Sequence, residues 1–334
     1  MIISRTPFRV SFFGGGTDYP EWFKKNNGSV ISTTIDKYCY INLRYLPPFF
    51  KYNYRLRYFE KEEVKKISEI KHPSIRECLK YLDFKKDKSI EIVHSADLPA
   101  LSGLGSSSTF TVSLLHALHT LKDENITKKQ LSQEAIHVER NLIKEKVGSQ
   151  DQTAAAFGGL NHIVFESNGN LKVNNIFFSQ EQLIELEENS VLLFTGLQRK
   201  ADLIAKDKVK NIINDKNDNH LNNISKLTDQ ALEEIFFKKK FDFKKFGEAL
   251  KEQWELKKKL SNKVSNFQID KIFSEAYSKG AYGGKILGAG GGGFILFLVP
   301  KNKRKKFLKH FIKYLHVPFR VDNSGSQIIY YSKN

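Results

Sequence analysis

The sequence predicts two domains, the first with alternating strands and helices and the second with long helices and a few strands. Up to about residue 195, short runs rich in β-branched and aromatic residues alternate with stretches of helical periodicity. After residue 195 long helical stretches predominate, interrupted by strand-like runs near 294–299 and 327–331. A chain of 334 residues is also long enough to bury two cores. We therefore expect an N-terminal domain over residues 1–195 and a C-terminal domain over residues 196–334.

The individual elements follow from hydrophobic periodicity and from turn residues. Thr127 is a favourable helix N-cap, and the SNGN sequence at 167–170 is a hairpin signal. In the first half we predict strands at 2–13, 52–59 and 89–94, paired strands within 29–45, helices at 72–82, 109–121 and 127–146, and a hairpin of strands at 160–165 and 171–178. In the second half, after a strand at 190–195, we predict helices at 201–215, 219–237, 243–260 and 268–279, then a glycine block, a strand at 294–299, a lysine-rich helix and a strand at 327–331.

Composition and charge exclude several classes of protein. The formal net charge is +17, but the lysines are interleaved with apolar residues over helical stretches such as 238–259, which favours solvated helix faces over a nucleic-acid interface. The longest apolar run is too short to cross a bilayer. Cys39 and Cys78 lack metal-like spacing and fit a reducing compartment. We expect a cytoplasmic protein with no nucleic-acid partner and no membrane partner.

The strongest local signal is a glycine-serine loop that follows a predicted strand and opens a helix. Glycines allow close approach of the backbone to an anion, and the N–H groups at a helix start point toward it. The loop lacks the lysine of a Walker A motif. From its residues alone it could equally be a turn that caps the helix. The residues of this candidate phosphate loop are Ser102, Gly103, Leu104, Gly105, Ser106, Ser107 and Ser108.

Two further features lie farther along the chain, a pair of carboxylates and a block of glycines. Glu139 and Asp151 flank a break in the helical pattern, so that one carboxylate could hold Mg²⁺ while the other deprotonates or orients a hydroxyl. Taken alone, such a pair is more often a pair of solvated carboxylates. The glycine block at 288–293 precedes a strand rather than a helix, which argues against a dinucleotide fingerprint and favours close packing beside a ligand.

Taken together, three segments in this order resemble the motifs of the GHMP kinase family, the galacto-, homoserine, mevalonate and phosphomevalonate kinases. They are residues 6–18 (TPFRVSFFGGGTD), 99–109 (PALSGLGSSST) and 285–293 (KILGAGGGG). The resemblance extends over nearly the whole chain. It implies an N-terminal α/β domain with a left-handed crossover, a C-terminal α+β domain of ferredoxin-like type, and ATP bound between them.

The resemblance also implies roles for individual residues. The phosphate loop would hold the triphosphate of ATP, Ser107 and Glu139 would bind Mg²⁺, Asp151 would act on the substrate hydroxyl, and Arg9 would stabilise developing negative charge. The predicted acceptor-binding residues are Gly15, Gly16, Thr17, Asp18, Arg199, Gly290 and Gly291.

The GGGTD form of the first motif is similar to that of family members that act on heptose phosphates, whereas galactokinases carry Gly-Glu-His before Thr-Asp. The implied reaction is transfer of the γ-phosphoryl group of ATP to the anomeric (C1) hydroxyl of D-glycero-D-manno-heptose 7-phosphate. Its 1,7-bisphosphate product would serve nucleotide-activated heptose and surface glycan synthesis. Two alternatives stay open: a C1 kinase of an unphosphorylated sugar such as fucose or galactose, and a catalytically silent sugar-binding homologue.

Overall fold

The computed structural model describes residues 1–84, 89–197 and 201–332. The strands of these residues are β1 (Ile2–Phe13), β2 (Gly28–Tyr45), β3 (Tyr54–Arg57), β4 (Lys61–Val64), β5 (Ile90–Ala96), β6 (Leu160–Phe165), β7 (Leu171–Asn175), β8 (Ser190–Phe194), β9 (Gly283–Ile286), β10 (Phe294–Leu298), β11 (Leu315–His316), β12 (Val321–Asp322) and β13 (Gln327–Tyr331).

The helices of the same residues are α1 (Pro20–Asn26), α2 (Pro73–Tyr81), α3 (Ser106–Leu121), α4 (Lys128–His137), α5 (Gln150–Phe157), α6 (Gln180–Asn189), α7 (Ala201–Ile213), α8 (Asp218–Ala231), α9 (Phe243–Lys258), α10 (Phe267–Ser278) and α11 (Lys301–His310). Single π-helical turns at Val138–Leu142 and Leu232–Phe236 continue α4 and α8. No described helix is both long and apolar enough to cross a membrane.

The larger sheet is built around the long strands β1 and β2. Within the described residues its order is β13-β1-β2-β5-β3-β4, with β6 and β12 also pairing with β2 and β7 pairing with β6. The β3–β5 pair is parallel and the other pairs are antiparallel. Helix α3 packs across β1 and β2, and most of its residues are buried. Its N-terminus is thereby fixed beside the C-terminal part of β1.

The smaller sheet has the order β11-β8-β10-β9 among the described residues, and all of its pairs are antiparallel. Strand β8 ends at Phe194, just before the predicted domain boundary, yet it pairs with strands from the second half. Strands β12 and β13 in turn pair with β2 and β1 of the larger sheet. The two halves of the sequence therefore exchange strands, while the division at residue 195 stays a prediction.

Several elements differ from the sequence-based expectation: α1, α5, α6 and the short strands β4, β11 and β12 were not predicted, and three further differences have a clear cause. Residues 29–45 form one continuous strand within β2 rather than paired strands, because no glycine or proline turn interrupts them. The helix that Thr127 caps ends with its π-helical turn at Leu142 instead of near Lys146. Strand β9 was not predicted, since its two glycines disfavour a strand; a Cβ at Gly284 would lie 2.4 Å from a ring carbon of Phe297, so packing requires glycine there.

Candidate active site

A cavity of about 310 Å³ lies where the C-terminal part of β1, the N-terminus of α3 and the end of β9 meet. Both halves of the sequence contribute to it: Arg9 and Asp18 from the first, Lys208 and Lys285 from the second. We call it the central cavity. Its walls combine backbone groups, an ion pair and buried ammonium groups, a composition suited to a small anionic ligand.

The phosphate loop forms one wall of the central cavity. Gly103 and Gly105 have φ angles of 84° and 77°, in the left-handed region that glycine adopts most readily. Helix α3 begins at Ser106, so the N–H groups of its first turn have no partner inside the helix and face an incoming anion. Ser107 is exposed, which leaves its hydroxyl available to a ligand.

The second glycine segment packs directly behind the phosphate loop. A Cβ on Gly103 would lie 2.6 Å from the carbonyl oxygen of Leu287, and a Cβ on Gly288 would lie 2.6 Å from the Cα of Gly103. The N–H of Phe294 donates to the carbonyl of Ser102 at 2.9 Å. The glycines predicted to permit close packing therefore join the phosphate loop to the smaller sheet.

Arg9 and Asp151 form a bidentate ion pair at the floor of the central cavity. The Nε and Nη2 atoms of Arg9 donate to the two carboxylate oxygens of Asp151, each at 2.8 Å, and its Nη1 donates to the carbonyl of Gly103 at 2.7 Å. The side chain of Arg9 is 3% exposed and that of Asp151 is 25% exposed. The pair is thus anchored to the phosphate loop while one side of the carboxylate stays open to the cavity.

Asp18 lies next to this pair and is almost fully buried. Its carboxylate accepts hydrogen bonds from the N–H groups of Gly16 at 2.9 Å and Gln150 at 3.3 Å. A Cβ on Gly148 would lie 1.9 Å from one of its oxygens, so only glycine fits there. Burial raises the pKa of Asp18, and the neighbouring carboxylate of Asp151 adds to this effect. A buried carboxylate in this setting is suited to accept hydrogen bonds from ligand hydroxyls.

Glu139 lies on the π-helical turn after α4, behind the loop. One carboxylate oxygen accepts hydrogen bonds from Ser108, at 2.8 Å, and from Gln152, while the other is buried with no hydrogen-bond partner. Burial raises the pKa of Glu139 to about 8, with a further contribution from Glu145. An orphaned buried oxygen beside serine hydroxyls fits Mg²⁺, which takes one or two protein carboxylates and fills its other positions with water and phosphate oxygens. No group of three or more histidine, cysteine or acidic side chains that could hold a metal ion occurs in the described part of the chain.

The remaining wall carries three buried lysines, Lys208 on α7, Lys257 on α9 and Lys285 on β9, which we call the lysine wall. They are 6%, 4% and 2% exposed. Burial lowers the pKa of all three, to about 8 for Lys208 and about 7 for Lys285. Arg9 and the neighbouring lysines lower the pKa of Lys257 and Lys285 further.

The structure brings most of the predicted residues together. Those that line the central cavity are Arg9, Gly15, Gly16, Asp18, Gly103, Gly105, Ser106, Ser107, Ser108 and Asp151. The other described ones lie behind the wall: Ser102, Leu104 and Glu139 are fully buried, and the Thr17 hydroxyl is bonded to the carbonyls of Gly14 and Ser29. Gly290 and Gly291 pack on Val264 rather than on the cavity. Arg199 lies outside the described residues.

Sequence reasoning missed the lysine wall. Lys208 and Lys257 lie in lysine-rich helices, where most lysines face water. The available signal was their position on the apolar face: Lys208 follows Ile204 by four residues and precedes Ile212 by four, and both isoleucines are buried. Lys257 follows buried Trp254 by three residues. A cation on a buried helix stripe needs a partner, and that requirement could have identified both.

Comparisons with known proteins agree with this geometry. The family model described as GHMP kinases N terminal domain matches residues 73–159, and the model described as GHMP kinases C terminal matches residues 231–316. D-glycero-alpha-D-manno-heptose 7-phosphate kinase of Campylobacter jejuni is 30% identical over 315 residues, 92% of this chain and 92% of its own. Galactokinase of Pyrococcus furiosus is 24% identical over 91% of this chain and 90% of its own.

Solved structures extend the likeness to the fold. A D-glycero-D-manno-heptose 1-phosphate kinase from Bacteroides thetaiotaomicron superposes with a TM-score of 0.74 at 23% identity, covering 100% of both chains. With the two family models, this confirms the predicted two-domain architecture, an N-terminal domain of mixed α/β type and a C-terminal α+β domain.

Proposed function

This chain belongs to the GHMP kinase family, and we propose that it transfers the γ-phosphoryl group of ATP to the anomeric hydroxyl of a sugar, D-glycero-D-manno-heptose 7-phosphate. The observation that carries the proposal is the Arg9–Asp151 pair, fixed against Gly103 of the phosphate loop and open toward Asp18. A phosphoryl donor on the loop and a hydroxyl held by Asp18 would meet at this pair.

The chemistry assigned to these residues is a single phosphoryl transfer. Asp151 orients the acceptor hydroxyl and takes its proton as the oxygen bonds to the γ-phosphorus, while the bond from that phosphorus to the β-phosphate oxygen breaks and ADP leaves. Arg9 stabilises the negative charge on the transferring group. Because Arg9 already holds both oxygens of Asp151, the carboxylate is oriented before the substrate binds.

ATP and Mg²⁺ are the proposed cofactors. The first-turn N–H groups and the hydroxyls of Ser106 and Ser107 would bind the triphosphate, and Glu139 and Ser107 would hold the metal. Bound Mg²⁺ neutralises phosphate charge. Ser108 differs from these serines, since its hydroxyl is already bonded to Glu139 and orients that carboxylate.

The choice of acceptor rests on the Campylobacter relative and on the GGGTD motif. The product would then be a 1,7-bisphosphate, which is suited to nucleotide activation for surface glycans. A C1 kinase of an unphosphorylated sugar is the second candidate, favoured by the similarity to a galactokinase. A silent sugar-binding protein would have no use for a bidentate Arg9–Asp151 pair held at the phosphate loop.

The test is ADP release with Mg²⁺-ATP against heptose 7-phosphate, fucose, galactose, mannose and mevalonate. We expect turnover with heptose 7-phosphate alone and a product phosphorylated at C1, identified by ³¹P NMR. Turnover only with a free sugar would retain the kinase chemistry and reject the acceptor. ATP binding without turnover on any acceptor would support the silent homologue.

A further inference from the structure

The lysine wall concentrates positive charge that the described residues leave unbalanced. Each ammonium group donates to backbone carbonyls: Lys285 to Phe12 at 2.8 Å, Lys208 to Ala289 at 2.8 Å, and Lys257 to Ile286 and Gly288, both at 2.7 Å. No described carboxylate lies within ion-pair distance of any of the three. A carbonyl carries only a partial charge, so these contacts orient the lysines without neutralising them.

Charge counting in the central cavity leads to the same conclusion. Arg9 and Asp151 neutralise each other, and Asp18 is the remaining buried carboxylate of the described lining. Protonation of all three lysines against one carboxylate would leave two positive charges in a buried wall, and the lowered pKa values of these lysines reflect the cost of that state without an anion. Buried charges are stable only when paired, so the arrangement favours binding of a dianion.

We propose that the lysine wall is a phosphate-monoester site, separate from the triphosphate site, that binds the phosphate group already present on the sugar acceptor. This inference rests on the proposed function and deepens it, because it assigns the residues that would distinguish a sugar phosphate from a free sugar. Arg199, which the resemblance placed among the acceptor-binding residues, is not needed for this site.

The location of the lysines favours the acceptor over the nucleotide. Lys208 and Lys285 line the same cavity as Asp18, the residue proposed to hold the acceptor hydroxyl, and the charge of Asp18 raises the pKa of both lysines against the larger effect of burial. The phosphate loop supplies its own donors for a nucleotide, namely the first turn of α3 and its serines. Each lysine has at least one N–H beyond those used in the carbonyl contacts above, so the wall can donate to phosphate oxygens without rearranging.

A purely structural role predicts a different behaviour. If the lysines served only to hold the backbone at Phe12 and at residues 286–289, an added anion would have no reason to bind there. Removal of one lysine would then lower stability by the same amount with and without phosphate. A binding role makes a different prediction: phosphate binds while nucleotide occupies its own site, and this binding depends on Lys208.

The experiment is calorimetric titration of inorganic phosphate into the full chain saturated with Mg²⁺ and the non-hydrolysable analogue AMP-PNP. We expect phosphate to bind beside the analogue, and Lys208→Met to weaken this binding by at least about tenfold, since a charged hydrogen bond is lost. Lys210→Met is the matched control, because Lys210 is exposed on the same helix; it should bind phosphate like the unmodified chain.

Three outcomes would overturn the inference: no phosphate binding in the presence of AMP-PNP, competition between phosphate and AMP-PNP, or equal binding by the Lys208 and Lys210 variants. The first two are measured on the unmodified chain and so do not depend on a variant folding. Because the titration involves no turnover, it also separates the two proposals. Phosphate binding without turnover on any acceptor would reject the proposed function alone, whereas turnover without this binding would reject the lysine site alone.

Discussion

The two walls of the central cavity prepare for anions by opposite means. The phosphate loop uses neutral backbone N–H groups and serine hydroxyls from one short segment, Ser102–Ser108. The lysine wall uses full charges from residues 208, 257 and 285, which are far apart in sequence. A helix N-terminus can stay empty at little cost, since water satisfies it, whereas buried ammonium groups are unstable without an anion. The first wall is therefore ready without a ligand, and the second is completed by one.

The largest effect is expected from a change in the Arg9–Asp151 ion pair, which lies between the two walls. Asp151→Asn keeps one oxygen for Arg9 but removes the proton acceptor, so we expect kcat to fall by about 10² to 10⁴-fold with ATP affinity unchanged. Single-turnover kinetics and calorimetry measure the two quantities. Asp215→Asn, at an exposed aspartate with φ of 55° that asparagine tolerates, is the control. Near-normal turnover in the Asp151 variant would remove this residue from the mechanism.

The contact between Gly288 and Gly103 joins the phosphate loop to the smaller sheet. Alanine substitutions at Gly288 and at Gly169, two glycines of positive φ, test how much this contact contributes to stability. Gly288→Ala adds the clash with Gly103 to the strain of a left-handed alanine, whereas Gly169→Ala adds only the strain, because nothing lies within 4 Å of its Cβ position. We expect losses in unfolding free energy of about 2–5 kcal/mol and about 1–2 kcal/mol, measured by urea denaturation. Equal losses would show that the close contact is not required.

Glu139→Gln probes the metal position behind the phosphate loop. We expect the Mg²⁺ concentration for half-maximal activity to rise by about 10 to 100-fold, because the orphaned carboxylate oxygen is replaced. Thermal stability should not fall, since the raised pKa of Glu139 shows that burial already favours its neutral form. Glu248→Gln, at an exposed glutamate on α9, serves as the control. An unchanged Mg²⁺ requirement would place the metal elsewhere.

The smallest effect concerns pH and the lysine wall. In the folded chain the pKa values of Lys285 and Lys208 are lowered to about 7 and about 8, against 10.5 for an ordinary lysine. Between pH 7 and 10.5 the unfolded state therefore binds more protons, so these groups make the chain more stable as pH rises through this window. We expect Tm to rise by roughly 1–4 °C between about pH 6.5 and 8.5 from this source.

Added phosphate should reduce this increase of Tm with pH. A bound anion facing Lys208 and Lys285 favours their charged forms and so raises their pKa values, whereas Arg9 lowers the pKa of Lys285. Differential scanning calorimetry with and without phosphate isolates this contribution from those of Asp18 and other groups. Lys285→Met should reduce the slope without phosphate. A slope that phosphate leaves unchanged would contradict the assignment of these lysines.

The difference between the phosphate loop and the lysine wall also explains how far the sequence could predict the site. Strand β1 was predicted with its observed bounds because β-branched and aromatic residues run up to a glycine turn. The phosphate loop could be recognised because its residues are adjacent and their types are tied to one function. The family resemblance assigned Arg9 and Asp151 to one reaction, but their bidentate ion pair could be found only in the structure.

The lysine wall was not predictable in the same way. Lys208 and Lys257 differ from the exposed lysines near them only in the face of the helix on which they lie, and three separate elements must converge before they form a site. The break after α4 was misplaced for a related reason: the π-helical turn buries Glu139 against Ser108, a tertiary contact that local helix periodicity does not encode.

The pairing of β1 with β13 bears on how this molecule is made. During synthesis, β1 emerges long before β13, and until β13 is available one edge of β1 offers unpaired backbone groups to other chains. We therefore expect nascent chains to depend on chaperones until β13 has been synthesised and can pair with Ile2–Arg5 of β1.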